Sequence, residues 1–148
     1  RRLEIVGAFR GAHVIDDYAH NPAKIAASWR AVAEGARRVF GFWRPHGFGP
    51  LALMQDELAD ALVSVMRSDD RFYVLPVFYA GGTATRTVTS DRFVAALRAR
   101  GLAAELVPDY PALRAQLETV AQSGDAILGM GARDPELPRF ARALAAAS

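Results

Sequence analysis

The stretch that decides the fold is VFGFWRPHGFGPLALMQDELADALVSV, residues 39–65. Its first part, Val39 to Trp43, is apolar at consecutive positions, which is typical of a strand buried on both faces of a parallel sheet. A loop rich in glycine and proline follows from Arg44 to Pro50. Apolar residues then recur at helical spacing, at Leu51, Met54, Leu58, Ala61, Leu62 and Val65. A buried strand followed by a loop and a helix is the repeating unit of an α/β fold.

The same alternation continues on both sides of this stretch. Further strands are predicted at Leu3 to Phe9, Ala12 to Ile15, Arg71 to Phe78, Leu102 to Val107 and Ala126 to Met130. Further helices are predicted over about 22–34, from a Thr89 or Ser90 cap to Gly101, from an Asp109 cap to Gly124, and from Pro135 to Ala147. Polar turns are expected over residues 16–21 and 81–87. We therefore expect a Rossmann-like three-layer α/β/α domain with a mostly parallel sheet of about six strands.

Two local signals fix the beginning of this domain. Arg10-Gly11, between the first two strand-like runs, predicts a hairpin. Asn21 can cap the first helix, Pro22 can occupy its first position and Gly35 can end it. In doubly wound sheets, ligands bind at the carboxyl ends of the strands. The loops over residues 16–21, 44–50, 79–82 and 129–134 all follow predicted strands, so we expect them to share one rim of the sheet.

The composition indicates one globular domain and excludes several other classes. The chain has 148 residues, of which 51% are hydrophobic and 23% charged, and its net charge is +2. Without cysteine and with only three scattered histidines, neither a disulfide framework nor a metal site is expected. Of the 18 basic residues 17 are arginine, and they form no basic run with interleaved aromatics, so nucleic acid is not an expected partner. No segment predicts a membrane span or a secretion signal, and we expect a cytoplasmic protein. Because the sequence starts at Arg1 without methionine, we expect it to be part of a longer polypeptide.

The segment that carries most chemistry is VIDDYAHNP, residues 14–22. It places two carboxylates, a phenol, an imidazole and an amide between a strand end and a helix start. A carboxylate there can accept hydrogen bonds from a ribose diol while a neighbouring ring stacks on a base. The alternative is that Asp16 or Asp17 only caps the turn and that His20 is an ordinary surface residue.

Motifs that cradle phosphate are absent from the sequence. There is no P-loop, and the Gly81-Gly82 and Gly129-Met130-Gly131 pairs fall short of the dinucleotide fingerprint. No Ser/His/Asp arrangement stands out and no cysteine nucleophile exists, so an independent hydrolase is not expected. If the domain contacts a nucleotide, the main phosphate cradle must come from elsewhere.

The chain resembles the C-terminal domain of the Mur ligases over nearly its whole length. The residues that carry the resemblance are Arg2-Leu3-Glu4, Asp16-Asp17-Tyr18-Ala19-His20-Asn21-Pro22, Phe42-Trp43-Arg44-Pro45-His46, Tyr79-Ala80-Gly81, and Gly124-Asp125 with Gly129-Met130-Gly131-Ala132. The Asp-Asp-Tyr-x-His-x-Pro form is most similar to the members that attach L-alanine to UDP-N-acetylmuramate, and to those that attach a recycled peptide. The resemblance implies a ligase that uses ATP and Mg²⁺, both bound mainly by N-terminal and central domains outside this chain.

The same resemblance implies site residues. Arg2 would reach the γ-phosphate of ATP, a role suited to a permanently charged guanidinium. Asp17 would bind the ribose hydroxyls, and the nucleotide edge would be lined by Tyr18, His20 and Asn21. By itself the domain should not catalyse ligation, because closure onto the nucleotide needs the preceding domains.

The acceptor loop departs from the family pattern. Where the alanine-adding members have two arginines expected to hold the amino-acid carboxylate, this chain has Gly47 and Pro50, and the acidic residue usual after Ala-Gly is Gly82. Arg44 could supply a replacement cation, and His46 could contact substrate or only pack the loop. The turn at Gly131 and Arg133 could offer backbone N–H groups to an anion. These departures leave three readings open: the alanine ligase, the peptide-recycling ligase, and a non-catalytic Rossmann-like binding domain.

Overall fold

A computed structural model describes residues 2–78 and 89–147. The strands are β1 (Glu4–Phe9), β2 (Ala12–Asp17), β3 (Val39–Trp43), β4 (Arg71–Val74), β5 (Ala104–Leu106) and β6 (Ala126–Met130). The helices are α1 (Pro22–Glu34), α2 (Phe48–Val65), α3 (Ser90–Ala99), α4 (Tyr110–Val120) and α5 (Glu136–Ala146). The predicted loop over residues 81–87 and the Tyr79-Ala80-Gly81 match lie outside the described residues.

The six strands form one sheet in the order β1-β2-β6-β3-β4-β5. β1 runs antiparallel to β2, and every other neighbouring pair is parallel. Apolar clusters fill both faces of the sheet. One packs beneath α1, α2 and α3 around Trp29, Trp43 and Phe72, and the other beneath α4 and α5 around Phe40, Phe42 and Leu117. The predicted three-layer α/β/α fold with its N-terminal hairpin is confirmed.

Local sequence signals explain the hairpin and α1. Arg10 and Gly11 have φ angles of 53° and 85°, as a two-residue hairpin turn of this hand requires. The side chain of Asn21 accepts a hydrogen bond from the N–H of Lys24 at 3.0 Å, and Pro22 opens the helix where no N–H is needed. The predictions for these two elements are confirmed.

Several predicted boundaries are wrong. β2 continues to Asp17, so Asp16 and Asp17 belong to the strand rather than to the polar turn, because β6 pairs with them at Gly129 and Met130. β4 ends at Val74 instead of Phe78, just before Leu75 and Pro76, and Pro76 has no N–H to donate. The other shifts are small: β1 begins at Glu4, α2 at Phe48 and α5 at Glu136, and β5 spans only Ala104–Leu106.

The register brings the predicted loops together. Asp17 of β2 and Trp43 of β3 both align with Met130 of β6, which lies between these two strands. The loops that follow the three strands therefore leave the sheet at the same level, as predicted from their positions. Beyond β3, His46 forms an isolated parallel bridge with Phe78.

Candidate functional site

A cleft of about 570 Å³ opens beside the carboxyl end of β2. It is bounded by the chain before β1, by the end of β2 and by one face of α1. Its lining residues are Arg2, Leu3, Asp17, Tyr18, Ala19, Lys24, Ala27 and Ser28. Three residues that the sequence singled out for nucleotide binding, Arg2, Asp17 and Tyr18, thus line one cavity.

Asp17 joins the three walls of this cleft. Its side chain is buried, with the residue only 4% exposed. One carboxylate oxygen accepts a hydrogen bond from the N–H of Leu3 at 3.0 Å, and the other accepts one from the hydroxyl of Ser28 on α1. Each carboxylate oxygen has two lone pairs, so both retain accepting capacity toward the cleft.

Lys24, Ala27 and Ser28 line the helical wall and were not predicted as site residues. They occupy positions i, i+3 and i+4 of α1, which lie on one face of a helix. The signal available in the sequence was Lys24, the only lysine of the chain, whereas the burial of Ser28 is evident only in the structure. The motif that predicted the site residues ends at Pro22, before this face of α1 begins.

The three aromatic side chains of the rim form a chain of contacts. The rings of Tyr18 and His20 meet edge to face at 5.6 Å, and those of His20 and His46 lie 5.9 Å apart. His46 therefore extends the site from the β2 loop to the β3 loop. Burial lowers the pKa of His46 below its ordinary value, and the positive charge of Arg133 and the neighbouring His20 lower it further. This shift of the pKa favours the neutral imidazole of His46, and its buried Nδ1 has no hydrogen-bond partner within the described residues.

Arg44, predicted as a replacement cation, has several internal partners. Its guanidinium pairs with Asp134 at 3.0 Å, donates to the carbonyl of Pro76 at 3.0 Å and lies over the rings of Phe78 and Tyr110. The hydroxyl of Tyr110 donates to the same Asp134 carboxylate. Burial raises the pKa of Tyr110, and the hydrogen bond to Asp134 raises it further. These contacts tie together the ends of β3, α4 and α5, which gives Arg44 a structural task.

The turn before α5 already contains an anion. Asp134 accepts a hydrogen bond from the N–H of Glu136 at 2.9 Å, so the first turn of α5 faces the chain's own carboxylate. Gly131 is buried, and a Cβ there would lie 3.0 Å from Leu137, which indicates tight strand-to-helix packing. Arg133 is exposed, and its charge acts on His46. Of the two residues predicted in this turn, Gly131 thus packs against α5, and Arg133 lies where its charge acts on His46 of the rim.

The backbone at position 47 of the acceptor loop favours glycine over the arginine of the family pattern. Gly47 immediately precedes α2 with φ 90° and ψ 141°, a conformation that residues with a side chain rarely adopt. A Cβ at this position would also lie 3.1 Å from Cδ of Pro50, in the first turn of α2. The two departures from the family pattern therefore belong to one altered loop.

Within residues 2–78 and 89–147, no three His, Asp or Glu side chains come together in a way that could hold a metal ion. In the same residues, no helix is long and apolar enough to cross a membrane.

Comparisons with known proteins show the family to which the chain belongs. A family model described as Mur ligase, glutamate ligase domain, matches residues 1–133. The UDP-N-acetylmuramate--L-alanine ligase of Mycolicibacterium smegmatis is 36% identical over 143 residues, which are 90% of this chain and 27% of that protein. The chain thus spans about three-tenths or less of its curated relatives.

Two solved structures share the fold. A murein peptide ligase from Psychrobacter arcticus has a TM-score of 0.71 at 21% identity, covering 99% of this chain and 29% of that one. The bifunctional folylpolyglutamate synthase/dihydrofolate synthase of Yersinia pestis, complexed with AMPPNP and Mn ion, has a TM-score of 0.61 at 15% identity, covering 99% and 30%. These structures show the same fold, and the family match over residues 1–133 identifies the chain as a C-terminal domain of the Mur ligase family.

Proposed function

We propose that this chain is the nucleotide-closing and amino-acid-positioning domain of an ATP-dependent ligase that joins L-alanine to UDP-N-acetylmuramate. The observation that carries the proposal is the cleft in which Arg2, Asp17 and Tyr18 come together. The 36% identity to an L-alanine ligase supports this choice of acceptor. The proposed ligase includes N-terminal and central domains outside this chain.

The residues of the cleft fit an adenine nucleotide. When bound, ATP supplies the phosphoryl group that activates the muramoyl carboxylate. Asp17 accepts hydrogen bonds from the ribose hydroxyls with the lone pairs that Leu3 and Ser28 leave open. Tyr18, half exposed at the cleft wall, lies along the base. Arg2 is exposed and directs its permanent charge toward the γ-phosphate, where charge accumulates during transfer.

The other rim residues hold the nucleotide edge and the acceptor. The amide oxygen of Asn21 caps α1, so its NH₂ group is the part that can donate to the nucleotide. His20 stands between Tyr18 and His46 and connects the nucleotide side of the rim to the acceptor side. The lowered pKa of His46 favours its neutral form, which takes part as a hydrogen-bonding group, while Arg133 supplies positive charge near the acceptor carboxylate. Gly131 permits the close turn that places Arg133, and Arg44 stabilises this turn through Asp134.

A second candidate is a ligase that attaches an intact peptide to UDP-N-acetylmuramate. The altered loop at Gly47 and Pro50 favours it, because this loop lacks the cations expected to hold a single amino acid. The structural match to a murein peptide ligase fits the same interpretation at the level of the fold.

Single-turnover ligation separates these candidates. The assay uses the protein that joins this chain to its P-loop domain, with ATP, UDP-N-acetylmuramate, and a panel of amino acids and short peptides. Phosphate release that depends on alanine supports the first candidate, and release that depends only on a peptide supports the second. If phosphate release depends on no acceptor while ATP still binds, the domain is a non-catalytic nucleotide-binding module.

A further inference from the structure

Lys24 is a second cation, beside Arg2, among the residues that line the cleft. It lies on the first turns of α1, is exposed, and lines the same cavity as Arg2 and Asp17. Within the described residues Lys24 has no ion pair, whereas arginines elsewhere, such as Arg37, Arg38 and Arg67, pair with buried carboxylates. Among the described residues that line the cleft, two side chains are cationic and one is a carboxylate.

The position of Lys24 follows from that of Ser28. Because Ser28 donates to Asp17, the Lys24-Ala27-Ser28 face of α1 is held against the end of β2. Lys24 is one helical turn closer to the start of α1, and side chains on a helix tilt toward its N-terminus. Its side chain therefore extends toward the start of α1, along the wall of the cleft that Asp17 also lines.

We propose that Lys24 binds the phosphate chain of the nucleotide, as a second cation beside Arg2. This inference rests on the proposed function and deepens it. A lysine ammonium acts as a point charge with three rotatable donors, which suits phosphate oxygens whose orientation is fixed elsewhere. Asp17 then recognises the nucleoside and Lys24 the polyphosphate.

The test is calorimetric binding of ATP and adenosine to the ligase that carries this chain. Lys24→Gln should weaken ATP binding by about tenfold, because a charge-assisted hydrogen bond is lost, and should leave adenosine binding unchanged. Lys24→Arg should retain most of the ATP affinity. Arg30→Gln is the matched control, since Arg30 is another exposed cation of α1 and does not line the cleft.

A chemical readout is independent of any substitution. Because Lys24 is the only lysine of the chain, acetylation of the peptide that contains it can be followed by mass spectrometry. ATP should slow this acetylation and adenosine should not. Equal ATP affinity for Lys24→Gln and the unmodified protein, or acetylation insensitive to ATP, overturns the assignment of Lys24. Failure of the unmodified protein to bind ATP at all would instead overturn the proposed function.

Discussion

Two buried aspartates at the amino ends of the strands have different surroundings from Asp17 at the carboxyl end of β2. At the amino ends, Asp70 accepts hydrogen bonds from Trp29 Nε1 at 3.0 Å, from the N–H of Val39 at 2.9 Å and from Arg67. There, Asp125 is held by Arg38 at 2.7 Å and by the N–H of Gln122 at 2.9 Å. At the carboxyl ends, Asp17 borders an open cleft with two cations beside it. The carboxylates of Asp70 and Asp125 are neutralised and stabilise the fold, whereas that of Asp17 lines a cleft and is suited to binding. Asp134, also at the carboxyl ends, resembles the first pair, because Arg44 and Tyr110 engage it.

The largest expected effect is on stability at the amino ends. Asp70→Ala should lower the free energy of unfolding by about 3–5 kcal/mol, because it leaves a buried indole N–H, a buried backbone N–H and a guanidinium without their acceptor. Denaturant unfolding monitored by Trp fluorescence measures this loss. Asp69→Ala is the control, since the neighbouring Asp69 is exposed. Equal stability of the two variants would mean that Asp70 does not organise this end of the sheet.

The next effect is on binding at the carboxyl ends. Asp17→Asn should weaken binding of both adenosine and ATP by at least about tenfold, because the neutral amide accepts ribose hydrogen bonds less strongly. Its stability cost should stay near 1 kcal/mol, the value of one ordinary hydrogen bond. Calorimetry and denaturant unfolding on the same preparations measure the two quantities. Ser28→Ala, which removes a donor but keeps the carboxylate, should still bind adenosine. If Asp17→Asn binds normally, Asp17 only supports the fold.

A smaller effect concerns acid stability. Burial raises the pKa of Asp125, but hydrogen bonds from Arg38 and from the Gln122 N–H outweigh it and hold the pKa below the ordinary 3.8. This contribution to stability is complete above that ordinary value and is lost as pH falls through the lower folded-state pKa.

Arg38→Met should therefore cost about 1 kcal/mol at neutral pH, since Arg37 and the Gln122 N–H still neutralise the carboxylate. The difference from the unmodified protein should shrink toward pH 3. Denaturant unfolding across this range tests it, and a difference that grows on acidification would contradict the assignment.

The smallest effect is the titration of His46. Its NMR-detected pKa should lie below the ordinary 6.5. Arg133→Gln should raise this pKa slightly, because removing a nearby positive charge favours protonation, while burial, the larger cause, is unchanged. Arg10→Gln, at the hairpin turn of the opposite end, should not move it. An unchanged pKa in Arg133→Gln would mean that Arg133 does not face the acceptor side of the rim.

Much of the fold could be predicted because its signals are local. The apolar runs at Val39–Trp43 and Ala126–Met130 have the same bounds in the structure, and so does α1 with its Asn21 cap. The ends of β2 and β4 could not be predicted in this way. Pairing with β6 extends β2 through two aspartates, and the pairing of β4 with both β3 and β5 ends at Val74. The partner strands lie elsewhere in the chain, so the local pattern of β2 or β4 does not contain them.

The candidate site also contains residues that local motifs predict and residues whose role depends on tertiary contacts. Arg2, Asp17 and Tyr18 lie in consecutive motifs, so the sequence could predict them. Lys24 and Ser28 belong to a helix face whose role depends on its packing against the end of β2. The structural role of Arg44 depends on Asp134, which also accepts a hydrogen bond from Tyr110. Such contacts join residues far apart in the chain, and local pattern carries no information about them.

The sequence by itself determined the α/β alternation, the hairpin, the helix caps and the membership of the Mur ligase family, because these depend on periodicity, turn chemistry and short motifs. Only the tertiary structure decided which charges are available. It buries Asp70 and Asp125 against donors from distant segments, engages Arg44 and leaves Lys24 at the cleft. Whether a charge is neutralised or accessible depends on what packs around it, and packing is decided by the whole fold.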